Sequence, residues 1–473
     1  MNNGNNSHKW IVLSITSIGS FMTPLDGSVV SVSLPSITSG LKMDYAMAIW
    51  VPTAYLTSLT ALLLSIGRLS DVIGRKLIFI SGFAIFITSS FLCGISQDGL
   101  QLIAFRAIQG GGAAFIGSTS AAIVTDVFPS RERGKALGIN TMSVYVGLSV
   151  GPSLGGFLTY EFGWRSIFCI NVPIGLLVIS LALMKLQEST TASQKRFDLL
   201  GASSFTLGLV ALLLALTLSG SFGWGAFPII GLLIVGGVFL TLFVLVEIRK
   251  GAEAMLDVSL FSRNRLFSAA NISALLNYTS CFGVSFFTSF YLQRVLNYSP
   301  LQAGIILLTM PATMAVLAPI SGWLSDRIGS RMLSSLGMAI ICVGLLLAST
   351  LGLQSSSTDI AIRLLIIGLG MGLFSSPNTS AVMGSVDKSR LGVASGTLAM
   401  MRFLGQSLSL VIMGAIFATV APSKMLSDLF VGIDPKLEVA AEVFVEAMRK
   451  TFAAAAPISA VGVLTSLVRG KGK

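Results

Sequence analysis

Charge is scarce in this sequence. Asp, Glu, Lys and Arg make up 11% of its 473 residues, against about 25% in soluble domains. A string of soluble domains is therefore excluded. Histidine is nearly absent, and the single copy, His8, sits in the N-terminal tail. That argues against a histidine metal centre or a histidine proton relay. The four cysteines, Cys93, Cys169, Cys281 and Cys342, lie far apart inside apolar runs. They form neither a metal spacing nor a disulfide framework and read as small apolar packing residues. No G-x-x-x-x-G-K-S/T loop occurs, which argues against an ATP-driven pump. Gly368, Gly370 and Gly372 lie in an apolar run and follow no strand, so they read as helix packing. Asp26 is the single acidic residue deep inside an apolar run.

What the chain has in abundance is hydrophobic length: 53% of its residues are hydrophobic. A span needs about 20 consecutive apolar residues. On that scale fourteen spans are expected: Trp10–Ile37, Ala46–Ile66, Leu77–Ile95, Leu100–Val124, Lys135–Thr159, Trp164–Met184, Leu199–Ser219, Phe227–Val246, Leu266–Leu292, Leu301–Leu324, Leu333–Leu353, Ile360–Met383, Val393–Val420 and Thr451–Val468. The first follows a short polar tail and is long enough to span, so it reads as a retained helix. An amphipathic stretch, Pro435–Lys450, is expected at the outer interface. The net charge is +11. In a soluble protein such a charge would point to nucleic acid; in a polytopic one its distribution over loops matters more. Placing alternate loops in the cytoplasm puts two thirds of the Lys and Arg residues there, which predicts both termini inside.

An internal repeat organises the chain. Gly67–Lys76 reads GRLSDVIGRK and Gly322–Arg331 reads GWLSDRIGSR, each after the second span of a six-span set. The expected domains are a six-helix half over 1–186, a linker with two inserted helices over 187–265, and a second six-helix half over 266–473. Parallel halves of this kind place a substrate site between them near the bilayer midplane. In the first copy Gly67 and Gly74 permit a tight turn. Asp71 faces a helix N-terminus, and Arg75 and Lys76 pair with carboxylates such as Glu132. Asp326 and Arg331 are their counterparts in the second copy. Together these residues form an expected cytoplasmic gate; the plainer reading is a basic loop with a turn.

Three further stretches carry candidate residues. GINTMSVYVGLSVGPSLGG places Gly138, Gly147, Gly151, Pro152, Gly155 and Gly156 on the fifth span. The glycines offer neighbours a close backbone approach, and the proline bends the helix. Asp26 lies mid-span, where a carboxylate costs about 2.5–3.5 kcal/mol on insertion scales. Burial favours its protonated form and a nearby cation its ionised form, so it suits proton carriage or a structural ion pair. Arg106, in LIAFRAIQGGGAA, either modulates Asp26 by charge or snorkels to the interface. Arg402 either neutralises a carboxylate or bridges carbonyls. The expected cavity lining is Asn271, Asn277, Tyr278, Phe286 and Tyr291 on the ninth span, Asn378 on the twelfth, and Arg402 and Gln406 on the thirteenth.

These stretches resemble motifs of the major facilitator superfamily, in particular its 14-helix drug:proton antiporters. Gly67–Lys76 is similar to the family's G-x-L-a-D-r-x-G-r-k loop, departing at Val72. LDGSVVSVSLP resembles L-D-x-T-I-V-N-V-A-L-P. The glycine–proline helix resembles the antiporter motif, LIAFRAIQGGGAA the fourth-helix motif, and GWRSIFCINVPIG the entrance to the sixth helix. The resemblance implies an all-α polytopic protein of the cell (cytoplasmic) membrane, with two six-helix halves plus two inserted helices. It implies proton-coupled export of lipophilic, cationic or neutral drugs by alternating access, with Asp26 and Arg106 coupling. A same-fold exporter of a metabolite, amino acid or lipid is the alternative. An antiporter-like respiratory subunit would need several ionisable residues inside spans, and a sensor would need a signalling domain. The expected partners are a small-molecule substrate, protons and the lipid bilayer. No enzymatic residue, metal, cofactor or nucleic acid is expected, and the chain is expected to be monomeric.

Overall fold

Helix caps fix where the spans begin. The Asp44 carboxylate accepts from the Met47 amide at 2.8 Å, and Asp98 accepts from the Gln101 amide at 2.9 Å. Ser299 with Gln302, and Ser356 with Asp359, form reciprocal capping boxes, each satisfying two otherwise orphaned groups. A computed structural model gives the arrangement, describing residues 3–129, 132–188, 198–250, 258–387, 390–420, 430–431 and 437–469. Among these residues there is no strand.

The first six expected spans are α1 (Asn3–Leu41), α2 (Tyr45–Ile73), α3 (Arg75–Gly94), α4 (Gly99–Val127), α5 (Arg133–Phe162), and the pair α6 (Ser166–Cys169) and α7 (Asn171–Lys185). The two central ones are α8 (Leu199–Phe222) and α9 (Phe227–Lys250). A short α10 (Val258–Arg263) precedes α11 (Arg265–Phe290), which ends in a π-helical turn, Tyr291–Val295. Then come α12 (Pro300–Ile328), α13 (Ser330–Ala348), α14 (Ser357–Gly384), α15 (Leu391–Val420) and α16 (Leu437–Leu467). Eleven of the described helices are long and apolar enough to cross a membrane. The other three long ones are α1, α5 and α11. The protein is a multi-pass membrane protein.

Packing repeats along the chain. Helix α1 lies along α5, while α2 and α3 pack on α4. In the same way α11 lies along α15, while α12 and α13 pack on α14. The two sets meet through α5 with α12, α2 with α15 and α1 with α11. Helices α8 and α9 pair with each other, and α8 touches α2 and α15. The α8–α9 crossing is close because a Cβ at Gly236 would stand 3.1 Å from the Leu212 amide nitrogen and 3.2 Å from the Gly208 carbonyl oxygen.

Two expectations are corrected here. Residues 67–76 are not a loop: α2 runs on to Ile73, and the turn is Gly74 alone, at φ +117°. Its repeat counterpart, Gly329, has φ +89°, again in the region that glycine adopts without a Cβ clash. The amphipathic stretch expected at the interface is not separate from the last span either. From Leu437 it is the first part of α16, and Phe444 and Met448 are fully buried in the core, because Phe444 packs on Phe417 with ring centroids 5.0 Å apart. Pro435 lies outside the described residues.

Candidate functional site

Asp26 and Arg106 meet in the interior. Asp26 is 3% exposed and Arg106 fully buried, so Arg106 does not snorkel. Its Nη1 donates to Asp26 Oδ2 and also to Gln109 Oε1 at 2.6 Å. Gln109 Nε2 donates to Asp26 Oδ1 at 3.0 Å, and Asn171 Nδ2 donates to the same oxygen at 2.9 Å. Ser90 Oγ lies between the two amides, 2.5 Å from Gln109 and 3.2 Å from Asn171. The guanidinium stacks over Tyr55, 4.2 Å from its ring centre, a cation–π contact strengthened by desolvation. Its Nη2 has no hydrogen-bond partner.

Glycines bring these groups together. A Cβ at Gly110 would stand 2.8 Å from the Tyr55 carbonyl carbon, and one at Gly112 would stand 2.7 Å from the Phe86 amide nitrogen. Helix α4 therefore presses against α2 and α3, and the Arg106 face turns inward. Every contact to the Asp26 carboxylate comes from a donor, so in this arrangement it is an acceptor only.

At one end of the bundle the Gly74 turn carries a second charge cluster. Arg75 bonds Asp71 at 2.9 Å and the Ala122 carbonyl at 3.0 Å, and it reaches Asp126 on α4. Lys76 Nζ donates to the Leu183 carbonyl at 3.0 Å. The expected partnership with Glu132 is not made; Glu132 pairs with Lys9 at 2.6 Å, because the start of α1 reaches it first. Gly67 sits inside α2. In the second copy Arg331 is exposed, and the Asp326 side chain lies outside the described residues.

The fifth-span glycines divide into two faces. Gly147, Gly151 and Gly155, one turn apart, abut Phe21, Ser28 and Val29 of α1; a Cβ at Gly155 would stand 2.9 Å from the Val29 Cα. Gly156 abuts α12, where its Cβ would stand 2.5 Å from the Pro300 carbonyl oxygen. Pro152, one turn earlier, packs its carbonyl on Gly304. A Cβ at Gly138 would meet nothing within 4 Å among the described residues.

The two helix sets are joined firmly at the end opposite Gly74. Arg294 donates to the Pro35 carbonyl and the Ser39 hydroxyl in the last turns of α1, where a cation also suits the helix dipole. Gln293 bonds the Val32 carbonyl at 2.7 Å, and Tyr45 bonds the Gly414 carbonyl at 2.7 Å. Tyr45, Phe417, Phe430 and Phe287 stack around that seal. Towards the Gly74 end, Gly138 on α5 and Gly392 and Gly396 on α15 meet nothing within 4 Å.

The chain matches the Major Facilitator Superfamily over residues 16–410. It belongs to that superfamily. It is 35% identical over 413 residues to the riboflavin transporter RibZ of Clostridioides difficile, covering 87% of this chain and 88% of that protein. It is 32% identical over 414 residues to the multidrug resistance protein Stp of Mycobacterium tuberculosis, covering 87% of this chain and 76% of the other. Its fold is that of a bacterial homologue of the human lysosomal transporter Spinster, solved inward-facing and occupied: the TM-score is 0.69 at 15% identity, over 99% of this chain and 97% of that one.

Within this major facilitator transporter the expected cavity residues do not form one surface. Asn271 donates to the Phe267 carbonyl at 2.9 Å, and Asn277 turns to Met338 Sδ at 3.3 Å. Asn378 accepts from Arg469. Phe286 joins the buried aromatic stack, and the Tyr291 hydroxyl donates to the Gly352 carbonyl. Tyr278 and Arg402 do converge, with the guanidinium carbon 6.0 Å from the ring centre, and Gln406 is one turn further along α15. Gln109 and Asn171 join the Asp26–Arg106 network, and the sequence reading did not assign them. The i, i+3 spacing of Arg106 and Gln109 places them on one helix face. Asn171 had a fainter signal, as an amide in an apolar run.

Proposed function

We propose that this transporter is a proton-coupled antiporter that exports lipophilic drugs or related small molecules by alternating access. The observation that carries the reading is a buried Asp26 carboxylate held by Arg106, Gln109 and Asn171. Such a group exchanges protons when a conformational change alters its donors. The basic-rich Gly74 end faces the cytoplasm in this reading, with both termini inside the cell membrane. The sealed end around Arg294 and Tyr45 is then external, and the molecule is inward-open. The domain division at 186 and 265 belongs to the proposal too, supported by the repeated packing of α1–α5 and α11–α15. So does a monomeric working unit.

The charge cluster at Gly74 serves as the cytoplasmic latch. Its pairs are partly exposed, with Arg75 at 21% and Asp71 at 37%. Such pairs contribute about 0–1 kcal/mol each, small enough to break and re-form in every cycle. Gly147, Gly151 and Gly155 give α1, and with it Asp26, a smooth surface to move along. A second reading, export of a physiological metabolite, is favoured by the 35% identity to a riboflavin transporter.

Substrate-induced proton movement in proteoliposomes with an imposed pH gradient tests both readings. Proton release on adding a drug, lost in Asp26→Asn, supports drug antiport. A response to metabolites alone moves the assignment to the second reading, and coupling that persists in Asp26→Asn removes Asp26 as the carrier.

A further inference from the structure

Arg402 is a half-buried cation that pairs with no carboxylate among the described residues. It lies eleven residues into α15, counting from Leu391. At 1.5 Å per residue that is about 16 Å deep, close to the middle of a hydrocarbon core about 30 Å thick. Its Nη2 donates to Thr379 Oγ1 at 2.7 Å, and Tyr278 lies beside it. Tyr145, from α5 in the other helix set, stands in its electrostatic field. Among the described residues no acid is within ion-pair distance of it. Asp26, the deep acid, is already bound to Arg106.

The groups around Arg402 are short of acceptors. The Tyr145 hydroxyl is buried without a hydrogen-bond partner, and so is the Ser375 hydroxyl, one turn from Thr379. The guanidinium fork and these two hydroxyls, drawn from α5, α14 and α15, line the same region between the two helix sets. Arg469 shows the contrast. It is fully buried, and Asn378, Ser334 and Ser466 supply neutral oxygens to it. Arg402 has only the Thr379 and Tyr145 hydroxyls beside it among the described residues. Donors of this kind call for a ligand that accepts, and a planar guanidinium beside the Tyr278 ring matches a flat anion.

We propose that the Arg402 cluster is the substrate site and that it takes aromatic organic anions, held by Arg402 with Tyr278, Tyr145 and Ser375. This deepens the antiporter reading and rests on it for transport, though not for binding. A consequence follows for energetics. A proton entering against a monovalent cation leaving moves no net charge. A proton entering against a monovalent anion leaving moves two positive charges inward, so the membrane potential drives the exchange. Each charge is worth about 50-fold in the equilibrium gradient per 100 mV.

The test uses the purified full chain with two permanently charged aromatic probes, pyrene-1-sulfonate and ethidium. Binding is read first, by fluorescence titration in detergent. Pyrene-1-sulfonate is expected to bind more tightly than ethidium, at least tenfold more weakly in Arg402→Gln, and a few-fold more weakly in Tyr145→Phe. Arg402→Lys is expected to recover part of the loss. Unchanged affinity for the sulfonate in both Arg402→Gln and Tyr145→Phe overturns the proposal, as does tighter binding of ethidium by the wild type. Arg402→Lys guards against misfolding, since a collapsed site would not respond to restored charge. Transport is read second, in proteoliposomes with a valinomycin-set potential. An inside-negative potential is expected to accelerate sulfonate-driven proton entry. Arg402-dependent binding with no proton movement for any probe leaves the anion site standing and removes the antiporter reading instead. Proton movement with ethidium alone does the reverse.

Discussion

Asn171 places its side-chain amide 2.9 Å from Asp26 Oδ1, the same oxygen that Gln109 bonds at 3.0 Å. Two neutral donors thus hold one oxygen while Arg106 holds the other. The carboxylate is anchored from α4 and α7 at once, so relative motion of those helices against α1 changes its surroundings. In the proposed mechanism that is the link between a helix movement and a proton.

Removing the charge should separate coupling from binding. Asp26→Asn is expected to reduce substrate-driven proton movement at least tenfold while ligand binding persists, measured with a pH dye inside proteoliposomes. Asp26→Leu leaves Arg106 buried and unpaired. Breaking a buried pair this way costs about 3–5 kcal/mol, so a lowered thermal midpoint is expected from Asp26→Leu beyond that of Asp26→Asn. Equal midpoints would show that the ion pair is not structural.

Arg106→Lys preserves charge but not shape. One ammonium on a flexible stem cannot reproduce a planar fork that reaches Asp26, Gln109 and the Val51 carbonyl together. Coupled transport is expected to fall at least tenfold. Wild-type coupling in this variant would mean that positive charge alone suffices.

The glycine faces of α5 make opposite forecasts for nearby residues. Gly155→Val drives a side chain into the Val29 backbone, and overpacking of this sort costs about 1–3 kcal/mol. A lower thermal midpoint and loss of transport are expected. Gly138→Ala meets open space, and in a helix interior alanine gains up to about 1 kcal/mol over glycine. Its midpoint is expected to hold or rise. Similar losses at both positions would remove the distinction between the two.

Arg294→Ala releases the end of α1 from the π-helical turn. The seal at that end, external in the proposed orientation, is then expected to open more often. In a Val32→Cys background, labelling by a membrane-impermeant maleimide should rise several-fold when Arg294→Ala is added. Unchanged labelling would assign the seal to Tyr45 and the aromatic stack.

Much of this protein is written in its sequence. Fourteen apolar runs, the duplicated LSD motif and the glycine–proline helix identify the superfamily, because a bilayer forces spans to satisfy their own backbone and so makes hydropathy legible. Asp26 and Arg106 stood out for the same reason, as charges where charge is costly. What hydropathy could not say is which side chains meet. That Gly74 alone makes the turn, that Lys9 takes Glu132, that Asn378 serves Arg469, and that 437–450 belongs to the last helix were all decided by packing between helices distant in the chain. Helix periodicity places a residue on a face; it does not name the helix opposite. The partnering of Asp26 with Asn171, 145 residues away, and the meeting of Arg402 with Thr379 and Tyr278 depend on those long-range crossings, and only the tertiary structure decides them.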